Sequence, residues 1–512
     1  MKLNILFVLA LIAVLVEVSS GKRHKHFRRA HAAKRHHDTR SISTNIASRA
    51  VYKSNEREIV SLDKQVQALH TKTINESFYI KSAFRVSENV IRLSVIKSSD
   101  NNDSLIWYSN TKPIGEITFT CHSLECPATY SEKCTFVGYI GIINIPANLT
   151  LGETIEIQSK KTRKYISIRI KDVRPPPAFR NGYKHKLGVC VQPIFLYATY
   201  LELITFIEFY IANGATKFYF YRESVTVNVA AVLKHYKATH TQISIEIIDW
   251  SELPSNATKF NNPNTFVYRL EPYLAVMDCM YHARYHVKYV AQVDLDELIV
   301  VNSQYKSLLD YLEIKTKKGT NYMSSISFES RFAKYPTGWN TLAELNEKKF
   351  GQMDNVALGK PFKRPIYSKL VFRPEVNFNY YIHYALKTET RILTKKQYGS
   401  TNAKANEASV FHFRRIKDIY YNVDKFNLNS TLLTPFIKKM DKQLEAHISS
   451  LRINENLQTD LIERTINSFG QCREERKSHR NDMCISLATC EHLITPAAWN
   501  AFERSSNSWK VV

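Results

Sequence analysis

Between Phe78 and Val173 apolar and polar residues alternate in short runs. Ser77-Phe-Tyr-Ile-Lys-Ser-Ala-Phe-Arg-Val86 opens the series and Asn89-Val-Ile-Arg-Leu-Ser-Val-Ile96 follows. Further runs cover residues 116–121, 135–140, 153–157 and 165–170. Side chains two residues apart share one face of a strand. A period of two, split by Asn, Asp, Ser and Gly, therefore predicts antiparallel strands and a small β domain over residues 74–177. Pro175-Pro-Pro177 ends it, because consecutive prolines favour extended polyproline geometry and cannot continue a ladder.

The pattern then changes. Leu187–Gln192 reads as a strand, and Leu203, Phe206, Ile207, Tyr210 and Ile211 fall at helical spacing, with Asn213-Gly214 as the stop. Lys217–Tyr221 and Ile243–Asp249 read as strands, with a helix over Val225–Tyr236 between them. Val267, Leu270, Leu274, Met277 and Tyr281 predict another helix. Tyr289–Val293 is a buried strand that runs straight into Asp294-Leu-Asp-Glu297. Strands alternating with helices imply crossover connections, a parallel sheet and an α/β fold over residues 178–452. Ligands of such sheets bind beyond the carboxyl ends of strands, where Asp294 and Asp296 stand. A polar segment over 453–512, with Cys472, Cys484 and Cys490, reads as a disulfide-tied tail.

The ends of the pattern set the compartment. Behind Lys2, the apolar run Ile5–Val16 is about a dozen residues, short of the roughly 20 that span a bilayer. Val18-Ser-Ser20 offers small residues for cleavage, so residues 1–20 are a signal peptide or, uncleaved, a signal anchor with a single membrane pass. Either delivers the rest to the secretory lumen. Residues 21–73 form a stem, with a weak helical pattern near Leu62–Leu69. Its first part, Gly21–Arg40, is dense in Lys and Arg with five interleaved histidines, and it carries much of the formal net charge of +24. Such a block buries no apolar surface and reads as a solvated spacer. The secretory signals exclude nucleic acid as its partner, and the remaining positive charge suits a diphosphate or an anionic glycan. Sequons at Asn75, Asn102, Asn148, Asn256 and Asn429 agree with a lumenal chain. So do the eight cysteines, an even number that permits full pairing. Zinc is the rival for Cys121, Cys126 and Cys134, but their spacings lack a CxxC pair.

The chemistry concentrates at Asp294-Leu295-Asp296. In extended geometry, residues i and i+2 point the same way, so both carboxylates face one cleft while Leu295 packs inward. Two convergent carboxylates suit Mn²⁺ or Mg²⁺, ions that keep room for substrate phosphates.

The stretch Asp278-Cys-Met-Tyr281 with Lys288-Tyr-Val-Ala-Gln-Val-Asp-Leu-Asp-Glu-Leu-Ile-Val300 resembles the core signature of glycosyltransferase family 92. Val189-Cys-Val-Gln-Pro193, Lys369-Leu-Val-Phe-Arg-Pro-Glu375 with His383, and Phe411-His-Phe-Arg414 resemble further blocks of the family, and Ser82-Ala-Phe-Arg85 does so weakly. The resemblance implies a GT-A fold, that is, a Rossmann-like nucleotide-binding domain here preceded by the small antiparallel β domain. It implies an inverting hexosyltransferase that moves galactose from UDP-galactose to a glycan or glycoprotein acceptor. It also implies a type II Golgi membrane protein, against secretion after signal cleavage. His412 becomes the third metal ligand beside Asp294 and Asp296, with His383 behind it. Lys369, Arg373 and Arg414 become phosphate-binding cations. An inverting transferase needs a general base, for which Glu329, Glu375 and Asp354 compete. Glu297 supports the metal pair from behind, and Trp339 is placed to stack on an acceptor sugar. Two other readings stand beside the enzyme: a catalytically inactive, lectin-like protein that binds nucleotide or glycan, and a secreted structural protein docking on anionic polysaccharide through its stem.

Overall fold

The computed structural model describes residues 76–512, apart from 122–125, 127–133, 177–181, 256–261, 318–321, 336–352, 363–366, 390–397, 414–425, 427, 439, 443–458, 479–483 and 485. The signal or anchor segment, the stem, Arg414, Trp339, Asn75 and Asn256 lie outside the described residues. No helix among the described residues is long and apolar enough to cross a membrane. The described residues all fall within one compact unit, and the architecture is mixed α/β.

The alternating N-terminal runs build strands β1 (Phe78–Ser87), β2 (Val90–Ser98), β3 (Leu105–Ser109), β4 (Lys112–Glu116), β5 (Thr118–Cys121), β6 (Phe136–Asn144), β7 (Thr154–Ser159) and β8 (Tyr165–Asp172). They pair in the order β4-β3-β7-β8-β1-β2-β6-β5. The β1–β8 pair is parallel, unlike the antiparallel neighbours that alternation predicts. Alternation fixes which face a residue takes and leaves strand direction open. The run 116–121 divides into two strands, because the Ile117 amide leaves the line to donate to the Leu105 carbonyl at 2.9 Å. A last strand from the chain end, Lys510–Val511, pairs with β1 and makes this a nine-stranded sheet.

Next come β9 (His185–Ile194), helix α1 (Tyr200–Ala212), β10 (Ala215–Arg222), β11 (Ser224–Thr226), helix α2 (Val227–Thr239) and β12 (Ser244–Asp249). Helix α3 (Pro272–Ala283), β13 (Val287–Gln292), β14 (Glu297–Val301) and helix α4 (Leu308–Lys317) follow. Gly214 stops α1 with φ +95°, and a Cβ there would lie 2.8 Å from Leu309 Cβ, so both backbone and space require glycine. Helix α3 starts later than the periodicity predicts. Arg269 and Glu271 take left-handed backbone (φ +53° and +52°), which breaks any helix through Leu270, and Pro272 then starts a new one without an amide to satisfy.

The central sheet runs β12-β10-β9-β13 and continues through β18 (Lys369–Phe372), β15 (Tyr322–Phe328) and β21 (Tyr398–Asn402). Its first four strands are parallel, as expected. β18 is antiparallel to both β13 and β15, so the sheet as a whole is mixed. A second, five-stranded sheet places β14 beside β22 (Ala408–His412), followed by β16 (Ser330–Lys334), β17 (Val356–Leu358) and β23 (Leu428–Ser430), while β19 (Asn377–Tyr381) and β20 (Tyr384–Thr388) form a hairpin of their own.

Helices α1, α2 and α4 pack in one apolar cluster with the central strands. Helix α3 packs in another, together with Tyr79, Phe84, Ile96, Phe136 and Ile140 of the N-terminal sheet. Enclosed between two sheets, α3 is buried almost all round, which explains why its sequence is largely apolar, with Asp278 and His282 paired within it. Each large apolar side chain so buried contributes about 1.5–3 kcal/mol. Cys190–Cys279 ties α3 to β9, and Cys121–Cys126, Cys134–Cys484 and Cys472–Cys490 complete the disulfides, so none of these cysteines is a zinc ligand. Cys134–Cys484 and Cys472–Cys490 tie in helix α5 (Thr459–Ser478) and the segment after it. The described sequon residues Asn102, Asn148 and Asn429 are exposed.

Candidate active site

Strand order locates the site. From β9 the chain steps outward through β10 to β12, then returns to the other side of β9 as β13. The strand order reverses between β9 and β13, and the connections diverge beyond their carboxyl ends, which opens a crevice there. A cavity of about 480 Å³ occupies that position. Residues 191–199, from the end of β9 to the start of α1, form one wall. Asp294, Leu295 and Asp296 form another, and Glu202, Arg269, Phe413 and Arg473 complete it.

Asp294–Asp296 is a tight turn between β13 and β14, closed by the Glu297 amide donating to the Asp294 carbonyl at 3.1 Å. The expected extended geometry does not hold. Both carboxylates nonetheless reach the cavity, with side chains 28% and 30% exposed, while Leu295 packs into the core as expected and also borders the cavity. The turn is braced from below. The Glu297 carboxylate accepts the Asp294 amide at 2.9 Å, and Lys369, at the start of β18, donates to Asp294 at 2.8 Å and lies 2.9 Å from Glu297. Gln192 of β9 donates to the other Asp294 oxygen. Phe413 donates its amide to the Asp296 carbonyl at 2.7 Å.

Register brings in His412. In the antiparallel β14–β22 pair, Glu297 faces His412 directly. That puts His412 Nε2 3.1 Å from an Asp296 oxygen and Nδ1 3.5 Å from Glu297. Burial pulls the imidazole down, yet Asp296 and Glu297 prevail and raise it above its ordinary value. Burial likewise opposes the Lys369 ammonium, and Asp294 and Glu297 hold it well above the usual range. Asp294 is held below the ordinary carboxylate range: burial pushes it up, and Lys369, then His412 and Arg269, outweigh that.

The donor set meets the needs of a divalent cation in part. Two ligands at about 2.1 Å and right angles around an octahedral ion lie roughly 3 Å apart. The 3.1 Å between Asp296 and His412 fits that spacing. Asp294, engaged by Lys369 and Gln192, does not converge with them into a three-ligand cage, and no such cage occurs among the described residues. An ion held here would draw on Asp296 and His412, with Asp294, substrate oxygens or water completing its shell.

The other predicted residues lie elsewhere. Arg373 donates to Glu375 and, at 3.2 Å, to Tyr183, a network outside the cavity lining that holds buried Glu375 as an ion-pair partner. Glu329 is exposed between β15 and β16. Asp354 is exposed and accepts from Thr434 at 2.5 Å. His383 lies 2.7 Å from the Ser368 carbonyl, and its pKa falls to about 4, chiefly through burial and then through the charge of Lys369. Lys369 is almost fully buried beneath the aspartate turn and does not line the cavity.

Sequence reasoning did not single out Gln192, Glu202, Arg269 or Arg473 as site residues. Gln192 and Glu202 had a signal, since both lie near the carboxyl end of the first central strand. The Glu202 carboxylate accepts from Thr199 Oγ1 at 2.6 Å and Tyr197 OH at 2.9 Å, which fixes it at the cavity wall. Arg473, on α5, carried no local signal.

A mixed α/β sheet with a carboxylate turn and a cavity at its switch point suits an enzyme of the glycosyltransferase class, and the comparison with known families agrees. The family model for glycosyltransferase family 92 matches residues 185–464, more than half of the chain, and the chain belongs to that family. No curated protein matches it. Among solved structures, amylomaltase from Corynebacterium glutamicum is 12% identical over 31% of this chain and 23% of that one, with a TM-score of 0.15. The chain thus spans less than a quarter of that protein. A mutant ferredoxin-NADP+ reductase from Plasmodium falciparum is 11% identical over 48% of this chain and 93% of that one, with a TM-score of 0.12. Similarity at this level carries no argument about the fold.

Proposed function

We propose that this protein transfers a hexose, galactose in the first instance, from a UDP-sugar to a hydroxyl of a glycan or glycoprotein acceptor, with inversion, in the secretory lumen. Membership of the glycosyltransferase family supports the reaction class. The observation that carries the site is the cavity at the β9–β13 switch point, with Asp294 and Asp296 on its wall and His412 behind Asp296. Asp294, Asp296 and His412 would hold Mn²⁺ or Mg²⁺. When bound, the cation supplies positive charge against the departing diphosphate. The chain's own residues do the rest. Gln192 and Lys369 hold the Asp294 carboxylate, and Glu297 its backbone amide, before substrate arrives, which lowers the reorganisation needed during reaction.

In the transfer, the acceptor oxygen bonds to the anomeric carbon, the bond from that carbon to the phosphate oxygen breaks, and its electron pair leaves with UDP. The acceptor proton passes to a carboxylate. Glu202 is the glutamate that lines the cavity, and we assign it that role ahead of Glu329, Glu375 and Asp354. The disulfides and the family suit the secretory pathway, and we place the protein at the Golgi membrane or, after signal cleavage, in the secreted fraction.

The test is turnover of the secreted protein with UDP-galactose, Mn²⁺ and a mixed glycan pool, read as UDP release. Acceptor-dependent release that disappears with chelator and in Asp296→Ala is the expected result. Binding of UDP with no release from any UDP-sugar would replace the enzyme by the inactive, lectin-like reading.

A further inference from the structure

The family match ends at residue 464, within α5, yet the cavity wall continues beyond it to Ile466 and Arg473. Arg473 sits where a covalent clamp fixes its neighbour, since Cys472 is bonded to Cys490. Its guanidinium lies 5.8 Å from the Phe195 ring centroid, on the β9 side of the cavity. A second arginine, Arg269, enters from the left-handed turn ahead of α3. Its Nε is buried with no hydrogen-bond partner among the described residues, although a buried guanidinium ordinarily finds an acceptor. The cavity thus has three carboxylates, Asp294, Asp296 and Glu202, on its wall together with two guanidiniums. An arrangement that mixes fixed guanidiniums with a cation-binding aspartate pair suits a ligand with several anionic oxygens, because guanidinium pairs with phosphate through directed, charge-assisted hydrogen bonds.

Resting on the function proposed above, we infer that the C-terminal segment is a working part of the donor site, with Arg473 and Arg269 gripping the phosphate oxygens of a nucleoside diphosphate. The tail after residue 464 is then a wall of the pocket, held there by Cys472–Cys490 and Cys134–Cys484. The C-terminal strand Phe502–Arg504 anchors it further by pairing with β11.

Calorimetric titration of the full secreted chain in Mn²⁺ tests this, with UDP and uridine as probes. Arg473→Met and Arg269→Met should each weaken UDP by about ten- to a hundredfold while leaving uridine unchanged. Arg473→Lys, which keeps charge and bulk, should recover part of the loss and keeps the test open if the methionine variant folds poorly. Wild-type affinity for UDP in both Arg473 variants overturns the inference and leaves the proposed transferase standing. An equal loss for UDP and uridine, which marks a packing role, also overturns it. A wild-type protein that binds no UDP removes both the inference and the function on which it rests.

Discussion

Asp278 and the Asp294/Asp296 pair belong to one short stretch of sequence, yet the fold treats them in opposite ways. Asp278 lies inside α3, fully buried between two sheets. Tyr221 donates to it at 2.6 Å and Ser94 at 2.8 Å, and His282 Nε2 lies 3.2 Å away. Burial pushes its pKa up, but His282 and the hydroxyl donors bring it down to about 2. Its partners come from β2, β10 and its own helix, so it works as a joint between the N-terminal sheet and the central one. Asp294 and Asp296 sit at a strand end, partly exposed, braced from below and open above. Both clusters hold ionised carboxylates. Only the second leaves them room for a ligand. Partners on every side make a structural acid, and partners on one side make a candidate for chemistry.

Paired substitutions give the largest expected contrast. Asp296→Ala should lower turnover by about a thousandfold or more, equivalent to several kcal/mol of lost transition-state stabilisation, while the urea midpoint stays close to wild type. Asp278→Ala should do the reverse. Removing it takes away the buried partner of His282 Nε2, leaving Glu246 on Nδ1 alone, and orphans the Tyr221 and Ser94 hydroxyls, for a loss of about 3–5 kcal/mol, and turnover per folded molecule should persist. Equal effects of the two variants on melting and on turnover would erase the distinction.

A smaller effect separates binding from proton transfer. Glu202→Gln should cut kcat by about a hundredfold or more with little change in KM for the sugar nucleotide. Unchanged kcat would return the role of base to Glu329, Glu375 or Asp354.

The last contrast concerns another acid, Glu271, buried beside Gly138 and paired with no cation among the described residues. Burial raises its pKa from 4.5 to about 8. Between those values the folded protein keeps the proton and the unfolded chain has lost it. Stability should therefore fall as pH rises through this window and level off above it. Glu271→Gln should flatten that slope in urea melts taken across the range, and an unchanged slope would assign the pH dependence to other groups.

Local periodicity determined much of this protein. The strand around Leu187–Gln192, the helix ending at Asn213-Gly214, the strands around Lys217–Tyr221 and Ile243–Asp249, and the aspartate pair just after Tyr289–Val293 were all legible. Each depends on residues within one or two turns of one another, where the side-chain period reports the face that is buried. The strands β3 and β4 escaped notice because Leu105–Tyr108 is apolar at successive positions, so its sequence does not alternate although its burial does, and because β4 is mostly exposed and holds Pro113 and Gly115. The late start of α3 was hidden because left-handed backbone at Arg269 and Glu271 leaves no mark on the spacing of apolar residues.

Tertiary structure alone decided what the site is made of. Spacing could not reveal that Lys369 would lie beneath Asp294, that His412 would face Glu297 across a ladder, or that Arg373 would turn to Glu375 instead of the cavity. Nor could it show that Arg473 would reach a pocket whose aspartates lie far earlier in the chain. Sequence specifies which residues prefer burial over a few neighbours. Register, strand order and disulfide closure specify which distant residues meet, and a site that balances charge across several elements exists only once those long-range choices have been made.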